Sequence, residues 1–167
     1  MTLTAYSPDP ELLRTTFSHF PTGVVALAAE VDGEQVGMVA SSFTVGVSMD
    51  PPMVLFSVQN GSTTWPDLRA AGRIGISVLA ETHGSACRQL SSRNKQSRFD
   101  NLDIETSTAG AIFVHGSPVW LECVVRSEVP AGDHHVVLLE VLSLRTDPLV
   151  DPLVYHDSGF RQLHKAA

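Results

Sequence analysis

The chain is poor in cysteine: Cys87 and Cys123 are the two among 167 residues, and no CxxC pair occurs. That excludes a zinc ribbon. Two isolated thiols fit a reducing compartment, so a cytoplasmic location is expected. Charge is scarce as well, at 17% of residues against a usual ~25%. The 11 basic residues are outnumbered by 18 acidic ones, for a net charge of -7. A nucleic-acid partner gripped by a broad basic face is therefore not expected. No apolar run approaches the ~20 residues of a membrane span. The start, Met1-Thr2-Leu3-Thr4, has neither the basic region nor the apolar core of a signal peptide.

Several motifs are missing too. No GxGxxG follows a strand, no GxxxxGK[ST] occurs, and no GxSxG elbow is present. The seven histidines form no HExxH. His134 and His135 are adjacent in a predicted strand and point to opposite faces, so no metal site is expected.

What is present is an apolar chain, 43% hydrophobic, which excludes disorder over most of its length. A chain of this size buries ~70% of its unfolded surface and needs no staple. With so few charges, some apolar surface must be hidden elsewhere, which points to an oligomer interface.

Residues 1–10 carry Pro8 and Pro10 and read as a flexible N-terminal arm before a single domain over 11–167. Leu12, Leu13, Phe17 and Phe20 have helical spacing, giving a short amphipathic helix over Glu11–Phe20. Thr22–Val31 reads as a strand, Asp32-Gly33 as a hairpin turn, and Val36–Phe43 as the returning strand, which Thr44–Ser48 extends. Asp50-Pro51-Pro52 breaks the ladder before a strand over Met53–Val58. Ser62 or Thr63 caps a helix that holds Pro66 in its first turn and runs to about Ala71. Arg73–Leu79 is a strand and Glu81–Leu90 a helix; Ala111–Val114, Trp120–Val129, Val136–Leu144, Leu153–His156 and Phe160–Leu163 complete the chain. Many short strands and about three short helices imply an antiparallel barrel decorated with helices.

Four stretches carry possible chemistry, each beside an ordinary structural role. Gly37-Met38-Val39-Ala40-Ser41-Ser42-Phe43 combines small residues with hydroxyls, which lets a planar ligand approach the backbone. Ser57 to Thr64 ends in three hydroxyl residues at a helix start, an anion site or simply a cap. Arg88, Arg93, Lys95 and Arg98 are four of the eleven basic residues, a phosphate berth or a solvated loop face. Gly132-Asp133-His134-His135 opens a strand, where an imidazole can meet a ligand or the Gly and Asp can merely make a turn.

In this order the stretches resemble the flavin reductase-like family, the reductase components of two-component flavin monooxygenases. The markers are Phe20-Pro21-Thr22-Gly23-Val24, Gly37-Met38 with Ser41-Ser42-Phe43, and Ser48-Met49-Asp50-Pro51-Pro52-Met53-Val54. Arg98-Phe99, Trp120-Leu121-Glu122-Cys123, Gly132-Asp133-His134 and Pro152-Leu153-Val154-Tyr155 follow, so that the similarity spans Leu12 to Leu163.

The resemblance implies a split antiparallel β-barrel of the FMN-binding type and a homodimer. It implies FMN or FAD as flavin, NADH or NADPH as co-substrate, and a flavin-dependent monooxygenase as partner. By position, Gln35 to Val39 (Gly37, Met38 and Val39 among them) with Ser41 and Ser42 would line the flavin ring and ribityl chain, with Ser57, Val58 and Gln59 opposite. Ser62, Thr63 and Thr64 would take the phosphate, with Arg98 as charged partner. Gly132 and Asp133 would face the nicotinamide beside His134, the candidate catalytic side chain. The family commonly has Thr at Val39, Asn at Ser77, Gly at Leu139 and Tyr at Phe160. Two alternatives accompany the reductase reading: a split barrel that binds flavin, heme or a deazaflavin without NAD(P)H turnover, or an oxidoreductase that keeps its flavin bound and acts on an organic substrate.

Overall fold

The computed structural model describes residues 3 and 5–164. Asp9 starts α1 (Pro10–Ser18): its carboxylate accepts from the amides of Glu11 at 3.0 Å and Leu12 at 3.1 Å. Then come β1 (Thr22–Gly23), β2 (Val25–Val31), β3 (Glu34–Ala40), β4 (Thr44–Met49), β5 (Pro52–Gln59) and α2 (Trp65–Leu68). β6 (Ile74–Val78) leads through a 3-10 turn, Glu81–His83, into α3 (Gly84–Leu90). A second 3-10 turn, Lys95–Ser97, precedes β7 (Ile104–Thr106), β8 (Ile112–Val114), β9 (Val119–Ala131), β10 (His134–Thr146), β11 (Val154–His156) and β12 (Gly159–Arg161).

The main sheet has seven strands in the order β3-β2-β6-β9-β10-β5-β4, antiparallel throughout. It curls around a core of Leu27, Phe56, Ile76, Leu121, Val137 and Leu139, closed by Trp65 and Leu68 of α2. β2 is buried on both faces, which is why its sequence is a continuous apolar run. Val25, Leu27 and Ala29 face the barrel core, while Ala26 and Ala28 face a second cluster with Cys87, Leu90, Phe99 and Ile112. The second layer approaches closely at Gly75, where a Cβ would stand 2.2 Å from the Ile112 carbonyl oxygen. Only glycine fits there.

β3 and β5 face each other without forming a ladder, and this gap is the split of the barrel. One side chain bridges it. Ser42 Oγ donates to the Ser57 carbonyl and accepts from the Ser57 amide, both at 3.0 Å. Cys87 and Cys123 are buried and unpaired, as the sequence implied. Burial, and secondarily the Glu122 charge, pushes the Cys123 thiol up to about 12.

Several boundaries differ from the sequence expectation. Met1, Thr2 and Thr4 of the expected arm lie outside the described residues, and Pro10 already belongs to α1. Thr44–Met49 does not extend β3 but forms the opposite edge of the sheet, because Ser41–Phe43 leaves the ladder. α2 stops at Leu68, and the helix expected over Glu81–Leu90 begins as a 3-10 turn. Ile104–Thr106 is a strand only through its pairing with β8.

Candidate active site

A cleft of ≈ 370 Å³ occupies the split, with Met38 to Ser42 on one wall, Ser57 to Gln59 on the other, and Ser62 and His134 at its rim. The walls follow from topology. β3 is an edge strand, so its outer amides and carbonyls carry no ladder partner. β5 runs alongside it, and the Ser42 bridge fixes their separation.

His134 reaches the rim because β9 and β10 join in a two-residue turn, with Ala131 opposite His134. Gly132 has φ +65, the left-handed value that a type II′ turn assigns to its first central residue. The His134–Gln59 pairing docks this tip on β5. Asn60 adds a clamp, its amide donating to the Asp133 carbonyl at 2.9 Å and its side chain to the Gly132 carbonyl at 3.3 Å. Asp133 Oδ1 lies 2.7 Å from His134 Nδ1. A carboxylate can only accept here, so Nδ1 carries a proton and the Nε2 edge is turned away from Asp133. The hydrogen bond and charge of His134 hold the Asp133 carboxyl below its usual range.

A second cleft, of ≈ 470 Å³, adjoins the first and contains Gly37, Thr64 and Arg98. Arg98 is 9% exposed. Its Nη1 donates to the Gly37 carbonyl at 2.7 Å and to Thr64 Oγ1 at 2.9 Å, and its Nε donates to the Ser92 carbonyl at 2.8 Å. Gly37 is compressed from the other side, since a Cβ there would stand 2.5 Å from the Phe99 ring. The Thr63 carbonyl accepts from Lys95 Nζ, which also pairs with Asp67 at 3.1 Å. Ser62 Oγ accepts from the Trp65 amide at 3.2 Å, while Thr64 occupies the N-cap of α2 without a side-chain cap bond.

Of the sequence-predicted residues, Met38, Val39, Ser41, Ser42, Ser57, Val58, Gln59, Ser62 and His134 share the first cleft. Gly37, Thr64 and Arg98 share the second, and Gln35 and Val36, expected beside the flavin ring, lie there too because this end of β3 runs away from the first cleft. Thr63, Gly132 and Asp133 line neither and act on their neighbours through the bonds just described. The basic stretch does not stay together. Arg88 lies against a third cavity with its guanidinium 5.5 Å from the Phe160 ring centroid, and of the four only Lys95 and Arg98 border the second cleft. Asn60 is the residue that sequence reasoning passed over. Its one signal was its place before Gly61 in an otherwise hydroxyl-rich loop.

The lining fits a flavin. Small residues at Ala40 and Ser41 leave room for a planar ring, and Ser41 and Ser62 offer hydroxyls to its polar chain. Beyond them, Arg98 Nη2 has no protein acceptor among the described residues and is free for an anion. Within those residues no group of His, Cys, Asp and Glu is arranged to hold a metal ion, and no helix is long and apolar enough to cross a membrane.

The profile of the Flavin reductase like domain matches residues 17–164. The chain belongs to this family. It is 32% identical over 153 residues to a flavin reductase of Pseudomonas putida, covering 91% of this chain and 89% of the relative. It is 32% identical over 144 residues to the reductase subunit HsaB of a flavin-dependent monooxygenase from Mycobacterium tuberculosis, covering 86% of this chain and 76% of the relative. The structure of the NADH:FAD oxidoreductase SgcE6 of Streptomyces globisporus C-1027, in complex with NAD and FAD fragments, superposes with a TM-score of 0.88 at 30% identity, covering 98% of this chain and 99% of that one. The family's fold and this geometry agree: the split of the barrel is where the cleft lies.

Proposed function

We propose that the chain is an NAD(P)H:flavin oxidoreductase that supplies reduced flavin to a partner flavin-dependent monooxygenase. The observation that carries this reading is the cleft in the split, walled by β3 and β5, with an imidazole held over its rim. When both are bound, the nicotinamide gives a hydride to the flavin, and that chemistry belongs to the cofactors. This chain's residues bind and orient. Met38 to Ser42 and Ser57 to Gln59 hold the flavin ring and ribityl chain between them. Ser62 to Thr64 and Arg98 hold its phosphate. His134, with its ring oriented by Asp133, faces the nicotinamide and excludes water from that side. The reductase subunit among the relatives supports delivery to an oxygenase.

The same reading includes a homodimer. Val45, Val47 and Met49 of the edge strand β4 are all exposed, and so are Leu142 and Leu144 on the part of β10 that runs past β5. A monomer rarely leaves so contiguous an apolar face in water, and a second copy covers it.

His134→Ala tests the role of the imidazole. Steady-state kinetics should show kcat/KM for the nicotinamide falling by about tenfold, while the flavin Kd stays within about twofold. Unchanged kcat and KM would remove His134 from the mechanism.

A further inference from the structure

β10 brings His134 to the rim of the first cleft, and the ladder that brings it there stops at that residue. Its register on β5 runs from Glu140 opposite Met53 to His134 opposite Gln59. Gly132 and Asp133, the two turn residues, stand beyond the last rung. A hairpin tip past its last rung opens at little cost unless another contact holds it. His134 shares that freedom, because its ring is oriented by the tip itself: Asp133 Oδ1 lies 2.7 Å from Nδ1, on an exposed side chain.

Asn60 holds the tip from below. It follows the last residue of β5 and sits in a tight turn closed by the Ser62 amide, which donates to the Gln59 carbonyl at 3.0 Å. Its own amide donates to the Asp133 carbonyl at 2.9 Å, and its side-chain Nδ2 to the Gly132 carbonyl at 3.3 Å. One residue thus grips both turn carbonyls. An asparagine that only completes its own turn bonds backbone about two residues on; this one reaches 72 residues along the chain. The sheet does not need the bond, since seven registered pairs already join β5 to β10. What the bond adds is a fixed place for the tip. Asn60 lines neither cleft, while its turn also sets Ser62 on the rim.

We propose that Asn60 is a positioning residue of the reductase, which touches neither flavin nor nicotinamide and acts by holding His134 over the cleft; the proposal rests on His134 facing the nicotinamide. The clamp shapes a binding wall and not a reacting atom. Its loss therefore raises the KM for the nicotinamide and leaves kcat in place.

The test is a double-mutant cycle of Asn60→Ala and His134→Ala, read by steady-state kinetics and by flavin binding from fluorescence. Asn60→Ala should raise the nicotinamide KM about fivefold, within the worth of one hydrogen bond, with kcat and the flavin Kd inside about twofold of the wild type. In the His134→Ala background the same change should alter kcat/KM by less than about twofold, because no imidazole is left to place. Asn60→Asp, equal in size but without the amide donor, should lose at least as much as Asn60→Ala. Effects of the two substitutions that simply add overturn the proposal, as does an Asn60→Ala enzyme that keeps the wild-type KM while His134→Ala is impaired. A flavin Kd that weakens as much as the KM rises overturns it too, since Asn60 would then pin the whole rim. A His134→Ala enzyme with unchanged kinetics overturns the reading of His134 itself, and the proposal with it.

Discussion

Replacing Arg98 by methionine keeps an aliphatic stem in a buried channel and deletes the guanidinium. Three hydrogen bonds go with it, to the carbonyls of Gly37 and Ser92 at 2.7 and 2.8 Å and to Thr64 Oγ1 at 2.9 Å. They tie the edge strand β3, the start of α2 and the loop after α3 to one point. Hydrogen bonds from a charged donor contribute roughly 1.5–3 kcal/mol each. Against them stands the cost of burying the charge, which also lowers the guanidinium pKa from its ordinary value. The balance is a loss of about 3 kcal/mol, with the orphaned carbonyls partly rehydrated through the cleft. For a domain of this size that is about 6–12 °C in Tm. Urea unfolding followed by tryptophan fluorescence measures it, since buried Trp65 begins α2 one residue after Thr64. Arg98→Lys should recover little, because an ammonium cannot span the three acceptors as a planar fork does. A loss below about 1 kcal/mol, well under a single charged hydrogen bond, together with an unchanged flavin Kd would refute this view of Arg98 as both pin and anion partner.

Gly75→Ala should cost about 3 kcal/mol or more in a denaturant titration, because its Cβ would meet the Ile112 backbone, not a side chain that can move aside. His83 accepts the Ala80 amide at Nδ1 at 3.1 Å, and burial lowers its pKa, opposed by a bond to the His115 backbone. The unfolded state therefore takes up the proton first, so stability is full above about pH 6.5 and is lost as pH falls through the depressed native value. His83→Asn should flatten that slope in unfolding free energy measured between about pH 6.5 and 5; an unchanged slope would assign it to another group. Met49→Glu puts a charge on the 85% exposed side chain at the β4 edge and should convert a dimer to a monomer by light scattering. A wild type that already runs as a monomer contradicts the dimer.

The strands of the barrel were legible because burial writes itself into local pattern. The apolar run of β2 reports a strand covered on both faces, and the Gly132-Asp133 turn announces the long β9–β10 hairpin. The break after Ala40 was not legible. Ser41 to Phe43 have no residue that forbids a strand, and it is the Ser42 bridge across the split that takes them out of the ladder. β7 was missed because three residues carry no period of their own. For the site, residue types were readable but their partners were not. Arg98 looked like one of four free cations, yet its acceptors at Gly37 and Thr64 lie 61 and 34 residues away. Asn60 looked like loop filler, and the Gly132 carbonyl it grips is 72 residues away. Such pairings exist only after the sheet has closed.

The most direct test of the central claim mixes the purified protein with FMN or FAD and NADH or NADPH without oxygen and follows the oxidised-flavin absorbance. The account predicts bleaching with at least one of the four combinations, one nicotinamide consumed per flavin reduced. Flavin that stays oxidised in all four, while still binding the protein, would contradict it and leave a flavin-binding barrel in place of a reductase.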